Sequence, residues 1–341
     1  MKPGEIARLL LAWYRRGHRD LPWRRTSDPY RVWVSEVMLQ QTRAQTVVPY
    51  YERFLDRFPT VEKLAAANQD QALALWSGLG YYSRARNLLR AARRIVAAGA
   101  FPRDYKSISA LPGVGDYTAA AIASIAFGLP HAAVDGNVLR VVARVENDPA
   151  DIAAARTRER FRAVAQEWLD PRRAGAFNQA LMELGATVCL PKLPLCASCP
   201  LQSRCAARAA GTVSSLPVKL RKTTPMRIES ALLVIRRSAR VLLRRERRDA
   251  RRMAGFWRLP GPEDLPSARL AEPLGEFRHT ITRHRYEISV YAATLAGPDA
   301  PPDYRWFRAA RLTAIPLSTT ARKALSLAGF AFGASRVRIA D

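Results

Sequence analysis

All four cysteines of this 341-residue chain fall between positions 189 and 205, at Cys189, Cys196, Cys199 and Cys205, with six, two and five residues between neighbours. No cysteine elsewhere competes for them, so this stretch is expected to fold into a loop that gathers four sulfurs. Disulfides do not suit the reducing compartment expected here, and four inert thiols have no reason to crowd so closely. A metal site is what remains. Four thiolates serve tetrahedral zinc and a 4Fe-4S cluster alike, and coordination chemistry alone does not separate the two.

Ahead of the cysteines stands a backbone device, Leu111-Pro112-Gly113-Val114-Gly115. Pro112 ends one helix, and the two glycines permit a tight turn whose amides no Cβ obstructs. A helical run from Asp116 to Phe127 follows at once, so its orphan N–H donors and positive end face whatever lies against the turn, and a phosphate suits them. Taken alone, Gly-x-Gly is an ordinary helix-to-helix turn. Asp135 precedes the apolar-periodic run Asn137 to Val145 and reads as its N-cap.

Nearer the N-terminus, Gly4 to Gly17 reads as an amphipathic helix, and Asp28 with Pro29 opens another that runs from Tyr30 to Gln41. Glu36 lies in its middle. Val32, Trp33, Leu39 and Gln40 are its helical neighbours, so the carboxylate shares a largely apolar surface unless it turns to solvent, the usual case on a helix. Desolvation raises a carboxyl above its ordinary value of about 4.3, and a carboxyl still protonated at neutral pH is what a general acid must be.

Fifty-five Lys+Arg against 29 Asp+Glu give a formal charge of +26, a field that draws a polyanion with strong salt dependence. Only seven of those cations are lysine, so part of the excess reflects an arginine- and alanine-rich composition rather than a binding face. No apolar run approaches the roughly 20 residues of a membrane span, and the N-terminus has no signal-peptide pattern. A cytoplasmic, nucleoid-associated setting is the expectation.

Residues 211–227 lack hydrophobic periodicity and read as a basic linker. Beyond them, Ser230 to Ile235, Arg240 to Leu243, Arg285 to Leu295 and Tyr304 to Phe307 read as strands, with Ser318 to Leu327 as a closing helix. The window from Arg236 to Arg252, with nine arginines, reads equally as a phosphate-facing strip or a solvated edge hairpin.

Leu21-Pro22-Trp23-Arg24, Trp33-Val34-Ser35-Glu36-Val37-Met38-Leu39-Gln40-Gln41-Thr42, the glycine hairpin followed by Val134-Asp135-Gly136-Asn137-Val138, and the six-two-five cysteine spacing together resemble the adenine DNA glycosylase (MutY) family of the helix-hairpin-helix, endonuclease III superfamily. That resemblance implies a mainly α helix-hairpin-helix glycosylase domain over 1–210, carrying a 4Fe-4S cluster region at about 186–208. The linker 211–227 follows, and then an α+β Nudix-like lesion-recognition domain over 228–341. It also implies that the four cysteines ligate the cluster and that Glu36 protonates adenine. Asp135 would stabilise the sugar, supported by Tyr117 and Asn137. Arg24, Gln40, Thr42, Leu79, Tyr81, Gly113, Gly115, Gln179 and Thr282 would meet DNA, with Gln41 as the wedge that enters the duplex.

Strand-cleaving relatives resembling endonuclease III carry a lysine at the position of Tyr117; here no amine stands there, so base removal without an efficient AP-lyase step is expected. In the second domain, Gly255-Phe256-Trp257-Arg258-Leu259-Pro260-Gly261 resembles the Nudix-like domain of the family, but only Glu263, Asp264 and Glu272 follow it, scattered, so no hydrolase activity is expected. The family reads 8-oxoguanine with a Phe-Ser-His loop. Ile281-Thr282-Arg283 keeps the hydroxyl but not the aromatic or the histidine, whereas Phe277-Arg278-His279 loses the hydroxyl. The expected activity is monofunctional excision, by a monomer, of adenine mispaired with 8-oxoguanine or guanine in double-stranded DNA. Two alternatives stand beside it: a glycosylase of the same superfamily for another mismatch or an oxidised pyrimidine, and a non-catalytic iron-sulfur DNA-binding protein.

Overall fold

The computed structural model describes residues 3–220, 224, 226–247, 249–250, 253–281, 283–295 and 300–332. Among these the chain divides into two units. One takes the residues up to Ala65 and those from Arg90 into the linker; the other takes Ala66–Leu89 and the residues after the linker.

The first unit is helical, and local chemistry sets its boundaries. Asp28 accepts the Arg31 amide at 2.8 Å, and Pro29 supplies the fixed φ of a first turn, so the helix Pro29–Leu39 begins there. Eight of its eleven residues are buried, Glu36 among them, so this helix is enclosed on nearly every face. The Asp116–Phe127 helix buries a row of small residues, Thr118 to Ala121 with Ala123 and Ser124, which lets its neighbours approach closely. The helices Ala174–Thr187 and Gly136–Val145 also meet closely, for a Cβ on Gly185 would lie 2.7 Å from Asn137 Cβ. Ile6, Leu10, Val142, Phe161, Phe177 and Leu181 fill the core between these elements.

Fully buried Asn178 fixes the loop that leads to Asp135. Its Oδ1 accepts the Ala133 amide at 3.0 Å, while its Nδ2 donates to Ser124 Oγ and to the His131 carbonyl, each at 2.8 Å. The early linker is also held to this unit: Arg144 Nε donates to the Leu216 carbonyl at 2.9 Å and the Ile152 amide to the Val218 carbonyl at 3.0 Å. No described helix is long and apolar enough to cross a membrane.

The second unit holds six strands: β1 (Met226–Arg237), β2 (Arg240–Arg245), β3 (Trp257–Arg258), β4 (Ala268–Ile281), β5 (His284–Leu295) and β6 (Tyr304–Arg308). They run in the order β3-β2-β1-β5-β4, with β6 on β2; β1 and β5 are parallel and the other pairs antiparallel. The helix Thr319–Leu327 packs Ala321, Ala324 and Leu325 into a core with Val234, Val290 and Leu317.

Three features of this unit differ from the sequence reading. Long β4 stands where scattered acids and a loop were expected, and it takes in Phe277 to Ile281, paired from Phe277↔Ile288 to Ile281↔His284. Thr282 lies outside the described residues. Ala66–Leu89, read as part of the 1–210 domain, groups with this unit by its contacts: Arg245 pairs with Asp70 at 2.6 Å, Ser77 Oγ donates to the Leu317 carbonyl, and Tyr82 meets Thr319 Oγ1 at 2.9 Å and the Phe256 ring at 4.1 Å. Finally, the arginine-rich window is not a uniform strip. Arg244 and Arg258 pair with Asp264, and Arg258 also pairs with Glu246, while the Arg237 guanidinium lies 5.0 Å over Trp306.

Candidate active site

Nine of the residues singled out from the sequence line one cleft of about 900 Å³ in the helical unit: Arg24, Glu36, Gln40, Gln41, Thr42, Tyr117, Asp135, Asn137 and Gln179. They come from four helices or their caps, from the turn at Gln40 to Thr42 and from a short 3-10 turn, Pro22–Arg25, so long-range packing rather than sequence proximity assembles them.

Glu36 is 4% exposed, and burial pushes its carboxyl up to about 7. The Tyr117 hydroxyl donates to Oε2 at 2.6 Å and pulls the other way; the negative charge of Asp135 adds to the rise, and Arg24 opposes it. Because Oε2 accepts the tyrosine proton, Oε1 is the oxygen left to carry one of its own. Burial and both carboxyls hold the Tyr117 phenol well above its ordinary value, so it stays a donor; its oxygen also lies 3.2 Å from Met182 Sδ.

Asp135 is placed by the helix it starts. Its Oδ1 accepts the Val138 amide at 2.8 Å, and its Oδ2 accepts Asn137 Nδ2 at 2.9 Å. Burial raises its carboxyl, while those two donors and the charge of Arg140 favour the anion. Arg140 Nη2 in turn donates to Asn137 Oδ1 at 2.9 Å and to the Gly185 carbonyl at 2.7 Å, and its Nε donates to the Cys189 carbonyl at 2.7 Å. A continuous chain of bonds therefore links the acid to the first cysteine.

Across the cleft, Glu183 accepts from Arg19 Nε at 2.9 Å and from Arg24 Nη2 at 2.7 Å, and Arg24 also donates to the Arg19 carbonyl at 2.9 Å. The two guanidinia hold the Glu183 carboxyl down at about 2 against the effect of its burial. Arg24 thus lines the cleft with its guanidinium held by Glu183 and the Arg19 carbonyl. Gln179 accepts from the Tyr14 hydroxyl at 3.3 Å, which leaves its amide nitrogen for the cleft. Gln40 Nε2 bonds Thr118 Oγ1 at 3.0 Å, and Gln41 is exposed at φ 60°, a conformation that side chains avoid without cause.

Gly113 takes φ 78°, which favours glycine, and Gly115 begins the Asp116–Phe127 helix with no side-chain cap, so that first turn keeps its amides for an external acceptor. In the other unit, Tyr81 is 43% exposed at φ 47°, directly after the positive-φ glycines Gly78 and Gly80. Its neighbour Leu79 is 6% exposed, so the side chain expected to meet DNA is packed inward instead.

The four cysteines line one apolar cavity with Val141, Val145, Leu184 and Leu201. Arg144 Nη1 lies 3.3 Å from Cys189 Sγ and donates to the Leu190 carbonyl at 2.7 Å. Among the described residues no three His, Cys, Asp or Glu side chains converge on one ion. Four thiols around one apolar cavity are a donor set that a multi-iron core or a tetrahedral zinc ion can use.

The sequence reading missed Arg19, Arg140, Arg144, Met182 and Glu183. Glu183 left a signal, a charge inside the apolar run Ala180-Leu181-Met182-Glu183-Leu184, the same pattern that marked Glu36.

Residues 34–167 match the HhH-GPD superfamily of base excision DNA repair proteins, and residues 231–327 match the NUDIX domain family. A thermostable thymine-DNA glycosylase of known structure is 28% identical, with a TM-score of 0.56 over 61% of this chain and 97% of that one. An endonuclease III bound non-covalently to DNA, at 22% identity and a TM-score of 0.52 over 62% of this chain and 98% of that one, shares the fold. The adenine DNA glycosylase of Buchnera aphidicola from Acyrthosiphon pisum is 34% identical over 67% of this chain and 67% of that protein. In the adenine DNA glycosylase of Homo sapiens, 36% identity extends over 92% of this chain and 72% of the relative, through both units, and the chain accordingly belongs to the adenine DNA glycosylase family.

Proposed function

We propose that this enzyme hydrolyses the N-glycosidic bond of adenine mispaired with 8-oxoguanine or guanine. A base stacked in a duplex is out of reach, so the adenosine is flipped into the cleft at a cost of a few kcal/mol, less at a mismatch. Hairpin amides at Gly113 and Gly115 grip the backbone, and Gln41 fills the gap left in the stack. Glu36 gives the proton on Oε1 to adenine N7, which makes the base a better leaving group. Asp135, as carboxylate, stabilises the oxocarbenium-like sugar until water adds, a division of roles like that of paired glycosidase carboxyls. Tyr117 orients Glu36, Asn137 orients Asp135, and Gln179 lies along the base.

One observation carries this reading: a buried glutamate whose carboxyl titrates at about 7, in one cleft with a second carboxyl. It is tested by single-turnover cleavage of duplexes with adenine opposite 8-oxoguanine or guanine, using alkali to reveal abasic sites. Glu36→Gln abolishes excision and leaves DNA affinity nearly intact; equal loss of both would make Glu36 merely structural. With no amine at position 117, strand cleavage is inefficient, and Tyr117→Lys gains it.

Cys189, Cys196, Cys199 and Cys205 would hold a 4Fe-4S cluster, tested by brown colour and visible absorption of the purified protein. When bound, the cluster supplies a rigid cross-link of the 189–205 loop. The helical unit is read as the glycosylase domain and the second unit as the reader of the opposite base. The latter is without hydrolase activity because Asp264 is engaged by Arg244 and Arg258. We place the enzyme in the cytoplasm as a monomer on nucleoid DNA.

A further inference from the structure

Glu183 has no part in the steps above, yet its side chain is 2% exposed in the wall of the same cleft. Arg19 approaches it with its amide at 3.1 Å, Nε at 2.9 Å and Nη2 at 2.6 Å, and Arg24 with Nη2 at 2.7 Å. Two guanidinia against one carboxylate leave a single net positive charge beside the base site.

Few other charges bear on Glu36. Tyr117 faces it from the Asp116–Phe127 helix, Asp135 from the start of Gly136–Val145, and Arg24 from the Pro22–Arg25 turn. Asp116 is turned to solvent and paired with Arg162, Arg25 is paired with Asp20, and on the adjoining Ala44–Arg57 helix Glu52, Arg53, Asp56 and Arg57 are exposed. Of the other cations lining the cleft, Arg43 is exposed, so Arg24 is the positive charge that bears on Glu36, and Glu183, shared with Arg19, is its counter-charge.

We infer that Glu183 is a positioning residue for the acid: it pins Arg19 and Arg24, cancels one of their two charges, and so keeps Glu36 protonated. The inference rests on reading Glu36 as the acid. Without the Glu183 charge, two bare guanidinia favour the Glu36 carboxylate, and the proton leaves at lower pH. Without Arg19, Glu183 neutralises Arg24, and the proton is held to higher pH. A charge change at this range moves a titration by about half a unit to one unit.

The test uses the cluster-loaded full chain in saturating excess over an adenine-guanine duplex, with single-turnover rates measured from acid to alkaline pH. Glu183→Gln moves the midpoint of the alkaline limb down, and Arg19→Gln moves it up. A uniformly slower Glu183→Gln with an unmoved midpoint overturns the inference, since that is what a merely structural residue would give. If Glu183→Gln does not fold, Arg19→Gln decides alone, and an unmoved midpoint overturns the inference. If the wild type excises no adenine at any pH, the functional reading has failed instead. Infrared titration of the Glu36 carboxyl without DNA, referenced to Glu36→Gln, then decides by the same two shifts.

Discussion

Replacing Glu36 by glutamine should make the protein harder to unfold, by an amount that grows with pH. In the folded chain this carboxyl titrates at about 7, against an ordinary 4.5. Below 4.5 both states hold the proton, and burial of the neutral acid carries no titration cost. Between the two values the folded state binds a proton that the unfolded state has released, so stability falls as pH rises. Above about 7 the cost is complete: a gap of 7 − 4.5 = 2.5 units, at 1.36 kcal/mol per unit, comes to about 3 kcal/mol. Glutamine carries no charge at any pH and keeps an oxygen for the Tyr117 hydroxyl. In a unit of this size, about 2–4 °C follow each kcal/mol, so the variant should melt about 6–12 °C above the wild type at pH 8.5. At pH 5 most of that difference should vanish. Calorimetry of both proteins at the two pH values measures it. A gap equal at both, or a variant less stable at pH 8.5, would refute the argument that burial is what loads this side chain with its proton.

Two further substitutions probe how the cleft is held. Asn178→Ala removes three buried hydrogen bonds and leaves the Ala133 amide and the His131 carbonyl without their partner, so a loss of about 3 kcal/mol or more is expected in denaturant melts. Gly185→Ala places a methyl 2.7 Å from Asn137 Cβ and 3.0 Å from its carbonyl oxygen, contacts that neither helix backbone can absorb without moving. About 1–3 kcal/mol should be lost, and single-turnover excision should slow more than DNA affinity falls, because the residue displaced is the one that orients Asp135.

Much of the helical unit was legible because its signals are local. Asp28 with Pro29, and Asp135 ahead of its apolar run, mark helix starts through bonds to amides two or three residues away, and the expected Asp116 to Phe127 helix was found with those bounds. Glu36 was legible because Trp33 to Thr42 resembles the family's motif, where its apolar neighbours alone left a solvated glutamate as the usual reading. The partner of Arg24 was not, since the carboxylate that engages it lies 159 residues on. Strand β4 escaped for another reason. Most of its residues are exposed, and Pro273 and Gly275 interrupt its register, so neither alternation nor propensity marks it; the backbone ladder of β5 supplies the order that its side chains do not. The contacts that group Ala66–Leu89 with the second unit were not legible either, because they reach residues more than 170 positions away.

Two carboxyls lie in one cleft and burial raises both, but their stations on their helices give a negative charge different support. Glu36 sits mid-helix, where every amide is already taken by the turn before it, so the backbone offers no comfort to a negative charge. Asp135 sits at a helix start, where amides have no partner within the helix and welcome one. The proposed acid and anion would thus be drawn from the same functional group with no difference in side-chain chemistry, by where along a helix each is hung. Asparagine at 135 would still start the helix, as good an N-cap as aspartate, while alanine would undo the turn by about 1 kcal/mol as well as the charge. Only the first isolates what the charge itself does.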